Sequence, residues 1–282
     1  MSAKTWFITG ASSGFGRAFV EHALGRGHNV VATARNLAAL ESLAAPVPDH
    51  LLCVKFDVTR QGDADRAIQA GIARFGRIDV LVNNAGYGVV GAFEETPDAE
   101  LRAQMETNFF GAMNLIRAVL PILRAQNGGA IVNMSSLGGQ LSFAGFSAYS
   151  ASKFAIEGVS EALAQEVAPF GIKVLIVEPG QFRTNLAGPG MRHMPVNEAY
   201  RGVLGPTRDF ARRMDGTQDG DPRKAAVAIE AAIDATQTPL RLQLGGDAVD
   251  AVRSHAQTLL EDLAVWEAVA RSTRLDAAQR LG

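Results

Sequence analysis

The sequence contains a single cysteine, Cys53, so no disulfide bond can form within the chain. This excludes the disulfide-rich secreted domains, and a reducing compartment is the simplest expectation. The five histidines fall at spacings that match no common set of metal ligands, and one cysteine does not build a zinc site. We therefore expect no metal site.

The chain also lacks an excess of charge of either sign, because 27 lysines and arginines nearly balance 29 aspartates and glutamates. The net charge of −2 gives no electrostatic reason to expect a nucleic acid or an anionic membrane as a partner. The sequence shows no charge block, internal repeat or low-complexity tract. A hydrophobic content of 47% is typical of a globular protein with a sizeable core and argues against disorder.

No apolar run is long enough to predict a membrane-spanning helix. The longest uncharged stretch, residues 125–152, is interrupted by two glycine pairs and several serines, which a spanning helix does not sustain. The first five residues are too few for a signal peptide and precede no separate apolar segment. We therefore expect a cytoplasmic protein without a membrane partner.

Short apolar runs alternate with longer segments of helical periodicity along most of the chain. Seven runs predict strands, at residues 5–9, 29–33, 51–56, 80–82, 130–134, 173–177 and 240–244. Nearly all-apolar strands separated by helices predict a parallel sheet that is covered on both faces. We therefore predict an α/β fold over residues 1–246: a single doubly wound Rossmann-type domain with a seven-stranded parallel sheet and helices on both faces.

Two segments depart from this alternation. Residues 185–221 are rich in glycine and proline but also carry apolar side chains, which predicts a lid over a substrate within the domain. Ordinary loop packing is the alternative. Residues 247–282 form a C-terminal extension with apolar residues at helical spacing, and we predict a helix that packs on the domain. The same pattern is also compatible with an oligomer contact.

A glycine-rich turn, TGASSGFG at residues 9–16, joins the first predicted strand to the first helix. Glycine lets the backbone approach a ligand closely, and the N-terminus of the following helix attracts a phosphate. The strand before the turn and the helix after it favour a dinucleotide site over an unadorned turn. The predicted cofactor contacts in this turn are Gly10, Ser12, Ser13, Gly14, Phe15 and Gly16.

The residues that follow the second strand distinguish the two nicotinamide cofactors. NAD-binding folds of this kind normally have a carboxylate here, which accepts a hydrogen bond from the ribose hydroxyl, but this sequence has Arg35. An arginine can pair with the 2′-phosphate of NADP, so we predict that NADP(H) is the cofactor and that NAD is less favoured. The alternative role for Arg35 is a solvated charge at a helix end.

Two further strand ends supply candidate cofactor contacts. Asp57 and Val58 follow the third strand, where the Asp57 carboxylate can accept a hydrogen bond from an adenine amino group or cap a helix. Asn84, Ala85 and Gly86 belong to the sequence NNAG after the fourth strand, where small and amide residues let the chain run close to a ribose. A simple turn is the alternative for this segment.

The sequence YSASK places Tyr149 and Lys153 four residues apart, on one face of the helix after the fifth strand. Ser136 comes just past that strand, so we expect all three side chains at the carboxyl edge of the sheet. Hydride transfer to a carbonyl leaves an alkoxide that needs a proton, which a tyrosine can supply. A neighbouring ammonium lowers the pKa of a tyrosine, and a serine hydroxyl can donate to the carbonyl oxygen.

These motifs together resemble those of the short-chain dehydrogenase/reductase family, in its single-domain branch. The similarity covers roughly residues 4–246 and includes Asn108 in the sequence NFFG. The resemblance implies that Tyr149 is the general acid in reduction and the base in oxidation, and that Ser136 positions the substrate oxygen. It also implies that Lys153 lowers the tyrosine pKa and binds the nicotinamide ribose, while Asn108 holds, through its backbone, a water that links the lysine to solvent.

The resemblance further implies nicotinamide contacts from the sequence PGQFRT after the sixth strand. These contacts are Pro179, Gly180, Phe182 and Thr184, the last through a hydrogen bond to the carboxamide. Ser13 stands where some NADP-binding members have a basic residue, so binding of the 2′-phosphate is expected to depend mainly on Arg35. The resemblance implies a homodimer or a homotetramer. Residues from 247 onward extend past the usual end of the family, which in many tetrameric members packs into a subunit interface, and so argue against the ordinary tetramer.

The sequence therefore predicts an NADP(H)-dependent oxidoreductase that interconverts a carbonyl, in a ketone or an aldehyde, and an alcohol by hydride transfer. The apolar character of residues 185–221 predicts a small hydrophobic substrate. Two alternatives remain: an NADP-binding regulatory protein without turnover, and an epimerase or dehydratase that acts on a nucleotide sugar. Relatives with the latter activity usually have a larger second domain, for which this chain has little room.

Overall fold

A computed structural model describes residues 3–44, 49–60 and 62–275. Its strands are β1 (Thr5–Thr9), β2 (Asn29–Ala34), β3 (Leu51–Lys55), β4 (Val80–Asn83), β5 (Gly88–Val90), β6 (Gly129–Met134), β7 (Ile172–Pro179), β8 (Met191–His193) and β9 (Arg241–Leu244). Seven of them form one sheet in the order β3-β2-β1-β4-β6-β7-β9, and every neighbouring pair is parallel. This confirms the predicted Rossmann-type sheet. Strands β5 and β8 pair in parallel beside it.

Helices connect the strands and cover both faces of the sheet. They are α1 (Gly14–Gly25), α2 (Ala38–Ala44), α3 (Asp63–Phe75), α4 (Asp98–Met105), α5 (Gly111–Ala125), α6 (Ser147–Val167), α7 (Arg201–Arg213), α8 (Pro222–Asp234) and α9 (Gly246–Arg271). The periodicity of residues 100–120 predicts one long helix. The structure instead has a single π-helical turn, Glu106–Phe110, between α4 and α5.

Two apolar cores lie on opposite faces of the sheet, because successive side chains of a strand point to opposite sides. In β1, Trp6 and Ile8 pack with α1, α2 and α8, whereas Phe7 packs with α3, α5 and α6. All three side chains are buried. The strands at the centre of the sheet are mostly apolar because each one faces a core on both sides.

The segment 185–221 is more regular than its glycine and proline content predicts, since it contains β8 and α7. A buried ion pair between Arg208 of α7 and Glu95 anchors the segment to the loop after β5. The same guanidinium donates hydrogen bonds to the carbonyl oxygens of Met194 (2.8 Å) and Pro195 (3.2 Å). Because Glu95 lies 113 residues from Arg208, the local sequence does not reveal this anchor.

The C-terminal extension packs on the domain at its beginning, where Ala248 is buried. Helix α9 forms as predicted. Its first residues contact β9, the short turn Leu137–Gly139 and the backbone N–H of Gln181, but every residue from 256 to 275 is exposed. The physical reason is length: 26 helical residues span about 39 Å, whereas the four residues of β9 span about 13 Å. The last part of the predicted extension, residues 276–282, lies outside the described residues.

Within the described ranges, no helix combines the length and the apolar character that crossing a bilayer requires. The same part of the chain holds no group of three or more histidine, cysteine, aspartate or glutamate side chains arranged to bind a metal ion.

Replacing Glu95 with glutamine would leave the Arg208 guanidinium buried without a counter-charge. We expect the free energy of unfolding, measured by urea denaturation, to fall by about 3–5 kcal/mol. Asp209→Asn is the control, because it removes an ion pair with Arg212 on the same helix in which both partners are exposed. That variant should lose less than about 1 kcal/mol. Similar losses for the two variants would contradict the role of Arg208 as an anchor.

Candidate active site

A cleft of about 690 Å³ opens at the carboxyl edge of the main sheet. It lies there because all seven strands are parallel, so the turns that follow them converge at one edge. Most of the predicted cofactor contacts line it: Gly10, Ser12, Ser13, Gly14, Phe15, Arg35, Asp57, Val58, Asn84, Ala85, Gly86, Pro179, Gly180 and Thr184. The predicted catalytic residues Ser136, Tyr149 and Lys153 line it as well. Gly16, Asn108 and Phe182 do not line it.

The glycine-rich turn presents the N-terminus of α1 to this cleft. Helix α1 begins at Gly14, and the preceding residue, Ser13, makes no side-chain capping hydrogen bond. The first N–H groups of the helix are therefore available to an anion, and the positive end of the helix dipole favours one. Thr184, from the loop after β7, lies directly over Gly14. The arrangement fits the pyrophosphate of a dinucleotide.

Gly16 packs against the turn and the end of β4. A Cβ atom at this position would lie 2.3 Å from the carbonyl oxygen of Gly10 and 2.7 Å from Nδ2 of Asn84. Only glycine allows α1 to approach the turn and the end of β4 so closely. Gly16 thus shapes the cradle that the other glycines line, and its contact with the cofactor stays a prediction.

The hydroxyl group of Thr9 ties the end of β1 to the end of β4. Its oxygen accepts hydrogen bonds from the backbone N–H groups of Asn84 and Ala85, both at 2.9 Å, and it donates to the carbonyl of Val82 at 3.3 Å. The Asn84 side chain donates in return to the Thr9 carbonyl at 2.8 Å. The sequence reasoning assigned Thr9 no role, although it opens the motif TGASSGFG.

Arg35 and Asp57 lie together at one end of the cleft. Arg35 is exposed, and Oδ1 of Asp57 accepts hydrogen bonds from the backbone and the hydroxyl of Thr59, at 3.0 and 2.8 Å. Burial raises the pKa of the Asp57 carboxyl, but the Thr59 hydrogen bonds and the charges of Arg35 and Arg60 lower it overall. Asp57 is thus a carboxylate at neutral pH, as an acceptor for an amino group must be.

The predicted catalytic side chains meet just past the end of β6. Ser136 precedes a short 3-10 turn, and its oxygen accepts a hydrogen bond from the Gly138 N–H at 3.0 Å. Tyr149 lies in the first turn of α6, and Lys153 lies one turn later on the same face. The Lys153 ammonium donates to the carbonyl of Met134 at 2.7 Å and lies 5.7 Å from the centroid of the Tyr149 ring.

Burial dominates the titration of both groups. It raises the pKa of the Tyr149 hydroxyl, and a hydrogen bond with Ser136 lowers it only in part. Burial also lowers the pKa of Lys153 to about 8, against an opposing effect of the Glu157 charge. The structure thus does not show the lowered tyrosine pKa that the pairing with Lys153 predicts. Tyr149 holds its proton at neutral pH, and Lys153 is a cation below about pH 8.

The Asn108 side chain is buried in the π-helical turn and fully engaged by its neighbours. Its amide group donates to the carbonyl of Tyr87 and to the hydroxyl of Ser152, both at 3.0 Å, and its oxygen accepts from the Tyr87 N–H. Ser152 donates in turn to the carbonyl of Tyr149 at 2.7 Å. The side chain therefore positions the segment that carries Tyr149. The predicted water on the Asn108 backbone stays a prediction.

A smaller cavity of about 150 Å³ adjoins the cleft at Ser136 and Tyr149. Its apolar lining includes Leu137, Phe143, Phe146, Phe182, Leu186, Met191, Phe210 and Met214. Half of these side chains come from the segment 185–221. Phe182 lines this cavity and packs against Phe15, with ring centroids 5.1 Å apart. Its contact with the nicotinamide stays a prediction.

A cluster at the mouth of the cleft was missed by the sequence reasoning. The Arg192 guanidinium lies 4.3 Å from the centroid of the Tyr87 ring and binds both oxygens of Glu100, at 2.8 and 2.9 Å. The Tyr87 hydroxyl donates to the same carboxylate at 2.9 Å. These contacts hold β8 against α4 beside the site. The only local signal was that Tyr87 directly follows NNAG.

Comparison with known proteins agrees with this geometry. The family model described as short chain dehydrogenase matches residues 4–194. Oxidoreductase BOA17 of Botryotinia fuckeliana (strain B05.10) is 40% identical over 264 residues, which cover 93% of this chain and 96% of that relative. A short-chain dehydrogenase structure from Streptomyces avermitilis has 53% identity and a TM-score of 0.92, with 97% of this chain and 100% of that chain covered.

A further solved structure is a short-chain dehydrogenase/reductase from Burkholderia phymatum in complex with NAD. It is 26% identical with a TM-score of 0.80, and the match covers 92% of this chain and 95% of that one. The chain therefore belongs to the short-chain dehydrogenase family. It is an NAD(P)-dependent oxidoreductase that acts on CH–OH or carbonyl groups.

Two buried carboxyl groups, those of Glu157 and Glu178, lie near the site, and Glu157 follows Lys153 by one turn of α6. Glu178 of β7 accepts hydrogen bonds from Gln140 (3.1 Å) and Gln243 (2.6 Å), and Arg241 reaches both Glu178 and Glu157. Burial raises the pKa of Glu178 to about 7. The hydrogen bond from Gln243 and the charge of Arg241 lower this pKa, whereas the charge of Glu157 raises it further. Glu178 therefore titrates near neutral pH.

The pKa of Glu178 is raised from the ordinary glutamate value of 4.5 to about 7 in the folded state. The folded state therefore loses stability as the pH rises from about 4.5 through about 7, because Glu178 must give up its proton there. Glu178→Gln removes this loss. Relative to the parent, the variant should gain about 1–3 kcal/mol in free energy of unfolding between about pH 5 and about pH 8. Glu161→Gln is the control, because Glu161 is exposed and binds the same Arg241. A Glu178→Gln effect that is equal at both pH values would refute this assignment.

Proposed function

We propose that this oxidoreductase uses NADP(H) to interconvert a hydrophobic ketone or aldehyde and the corresponding alcohol, with Tyr149 as the proton donor in reduction. The observation that carries the proposal is the place of Ser136 and Tyr149, which line both the nucleotide cleft and the apolar cavity. A carbonyl carbon at this junction faces a cofactor on one side and a proton donor on the other. The cavity suits a small apolar compound.

The residues around the cleft are suited to hold a dinucleotide along its whole length. The turn from Gly10 to Gly14 and the N-terminus of α1 would bind the pyrophosphate, and the Asp57 carboxylate would accept from the adenine amino group. Lys153 has further donors available for ribose hydroxyls beside its bond to the Met134 carbonyl. Pro179, Gly180 and Thr184 would lie along the nicotinamide, which supplies or accepts the hydride.

The proton chemistry follows from the burial of the tyrosine. Because its pKa is raised, Tyr149 carries its proton at neutral pH, which is the state that reduction requires. An alkoxide is a much stronger base than a phenolate, so transfer of this proton to the new alkoxide is favourable. The Ser136 hydroxyl can donate to the same oxygen while its charge develops. The Lys153 ammonium then favours the phenolate that remains.

The preference for NADP(H) is supported by the end of β2. The sequence there is ATARN, so no carboxylate is present to select the ribose hydroxyl of NAD or to repel a phosphate. Arg35 is exposed at the same end of the cleft as Asp57. A guanidinium in this position matches a phosphate group in shape and charge.

Tyr149→Phe tests the proposed proton donor. With NADPH and a panel of aldehydes and ketones, we expect turnover by the parent and a rate lower by about 10²–10⁴-fold in the variant, while NADPH binding is retained. Tyr200→Phe is the control, because its hydroxyl binds Glu94 and it does not line the cleft. Near-parental rates in Tyr149→Phe would disprove the mechanism, and absence of turnover in the parent would favour the regulatory alternative.

Arg35→Asp tests the proposed cofactor choice. Loss of the guanidinium and gain of a carboxylate should shift the ratio of NADPH to NADH dissociation constants toward NADH by about 10–100-fold or more. Arg60→Asp makes the same change in charge at an exposed residue that does not line the cleft, and should shift the ratio far less. The assignment fails if the two variants change the ratio equally.

A further inference from the structure

Helix α9 extends away from the domain that it follows. All of its residues from 256 to 271 are exposed, which corresponds to about 24 Å of helix without cover. An isolated helix of this length is only marginally stable in water, because most helical stability in proteins comes from packing of an apolar face. Packing against a second surface would therefore stabilise the exposed part of α9.

Apolar residues follow one another along α9 at alternating intervals of three and four. They are Val249, Val252, Ala256, Leu259, Leu263, Trp266 and Ala270. We call this set the α9 seam. Such spacing, kept for three heptads, is the pattern by which helices pair in coiled coils. The large seam residues are mostly in water: Leu259 is 55%, Leu263 is 62% and Trp266 is 64% exposed.

We propose that the α9 seam is an interface at which two copies of this chain associate, with their α9 helices antiparallel. The size of the side chains is compatible with this arrangement. In an antiparallel pair whose centre lies close to residue 261, Trp266 comes opposite Ala256 of the partner subunit, and Leu263 comes opposite Leu259 of the partner subunit. Each layer along the seam then contains either a large residue opposite a small one or two residues of similar size.

The charges beside the α9 seam select the antiparallel orientation. Arg253 and Glu267 both lie on the flank that follows Val252 and Trp266 along the sequence. Antiparallel pairing places each Arg253 level with Glu267 of the partner subunit, which gives two attractions, and places the two Asp262 side chains level with each other, which gives one repulsion. Parallel pairing would place Asp262 opposite Glu267 of the partner subunit twice, with no attraction in return.

Arg253 and Glu267 already form ion pairs within their own helix, but these pairs do not prevent new ion pairs between the two subunits. Arg253 lies 3.4 Å from Asp250, and Glu267 lies 2.6 Å from Arg271, with all four side chains more than half exposed. Exposed pairs of this kind contribute a few tenths of a kcal/mol. They can rearrange at little cost, or persist beside the new contacts between copies.

Sedimentation velocity of the full chain tests the α9 seam. We expect Leu263→Lys to halve the mass of the assembly, or to raise its dissociation constant about a hundredfold or more. Val265→Lys is the matched control: it adds the same charge to α9 at a residue that is 73% exposed but lies off the seam, and should leave the mass unchanged. A monomeric parent, or equal masses for parent and both variants, overturns the proposal.

Two measurements test the orientation. Leu260→Cys should form an intermolecular disulfide on mild oxidation, because antiparallel pairing brings the two residues 260 together, whereas Val265→Cys and the parent, with Cys53, should not. Arg253→Glu and Glu267→Arg should each raise the dissociation constant about tenfold, and the double variant should restore it. Equal cross-linking at residues 260 and 265, or a double variant that does not recover the parental dissociation constant, overturns the antiparallel pairing.

A lipid surface is the other occupant that the seam could have. If the parent is monomeric and floats together with phosphatidylglycerol vesicles, a lipid surface covers the α9 seam and the proposed pairing is overturned.

Discussion

The parallel direction of all seven strands is the constraint on which the site depends. It brings the turns after β1, β2, β3, β4, β6 and β7 to one edge, where the chain can surround a ligand with backbone groups and few side chains. Two contacts fix that edge: the Thr9 hydroxyl joins the ends of β1 and β4, and Gly16 lets α1 approach the Gly10 carbonyl. The cleft is formed by the turns that converge at this edge.

Burial at this edge gives the catalytic groups their properties. Burial lowers the pKa of Lys153, whose ammonium donates to the Met134 carbonyl, to about 8. Tyr149 keeps its proton because charge on its buried oxygen is unfavourable. The same burial extends behind Lys153 to Glu157 and Glu178. A charged site of this kind costs stability, and the apolar cores on both faces of the sheet offset that cost.

Local sequence predicted what depends on local physics. The seven strands follow from apolar runs, and Tyr149, Lys153 and Ser136 follow from motifs at strand ends. What depends on distant contacts did not follow from the local sequence. The order in residues 185–221 rests on Arg208 and Glu95. The raised pKa of Tyr149 reflects its burial, which a hydrogen bond with Ser136 offsets only in part. The packing of α9 could not be predicted beyond its first residues, because nothing in its own pattern shows whether the domain or a second chain covers it.

The central claim is that the Tyr149 hydroxyl and a nicotinamide ring face each other across the space for one carbonyl group. A crystal structure with NADPH bound tests it most directly. We expect the ring to lie along Pro179 and Gly180, with the Lys153 ammonium bound to the adjoining ribose and the ring carbon that carries the hydride directed at Tyr149. A ring bound outside this cleft, or a hydroxyl turned away from it, would contradict the account.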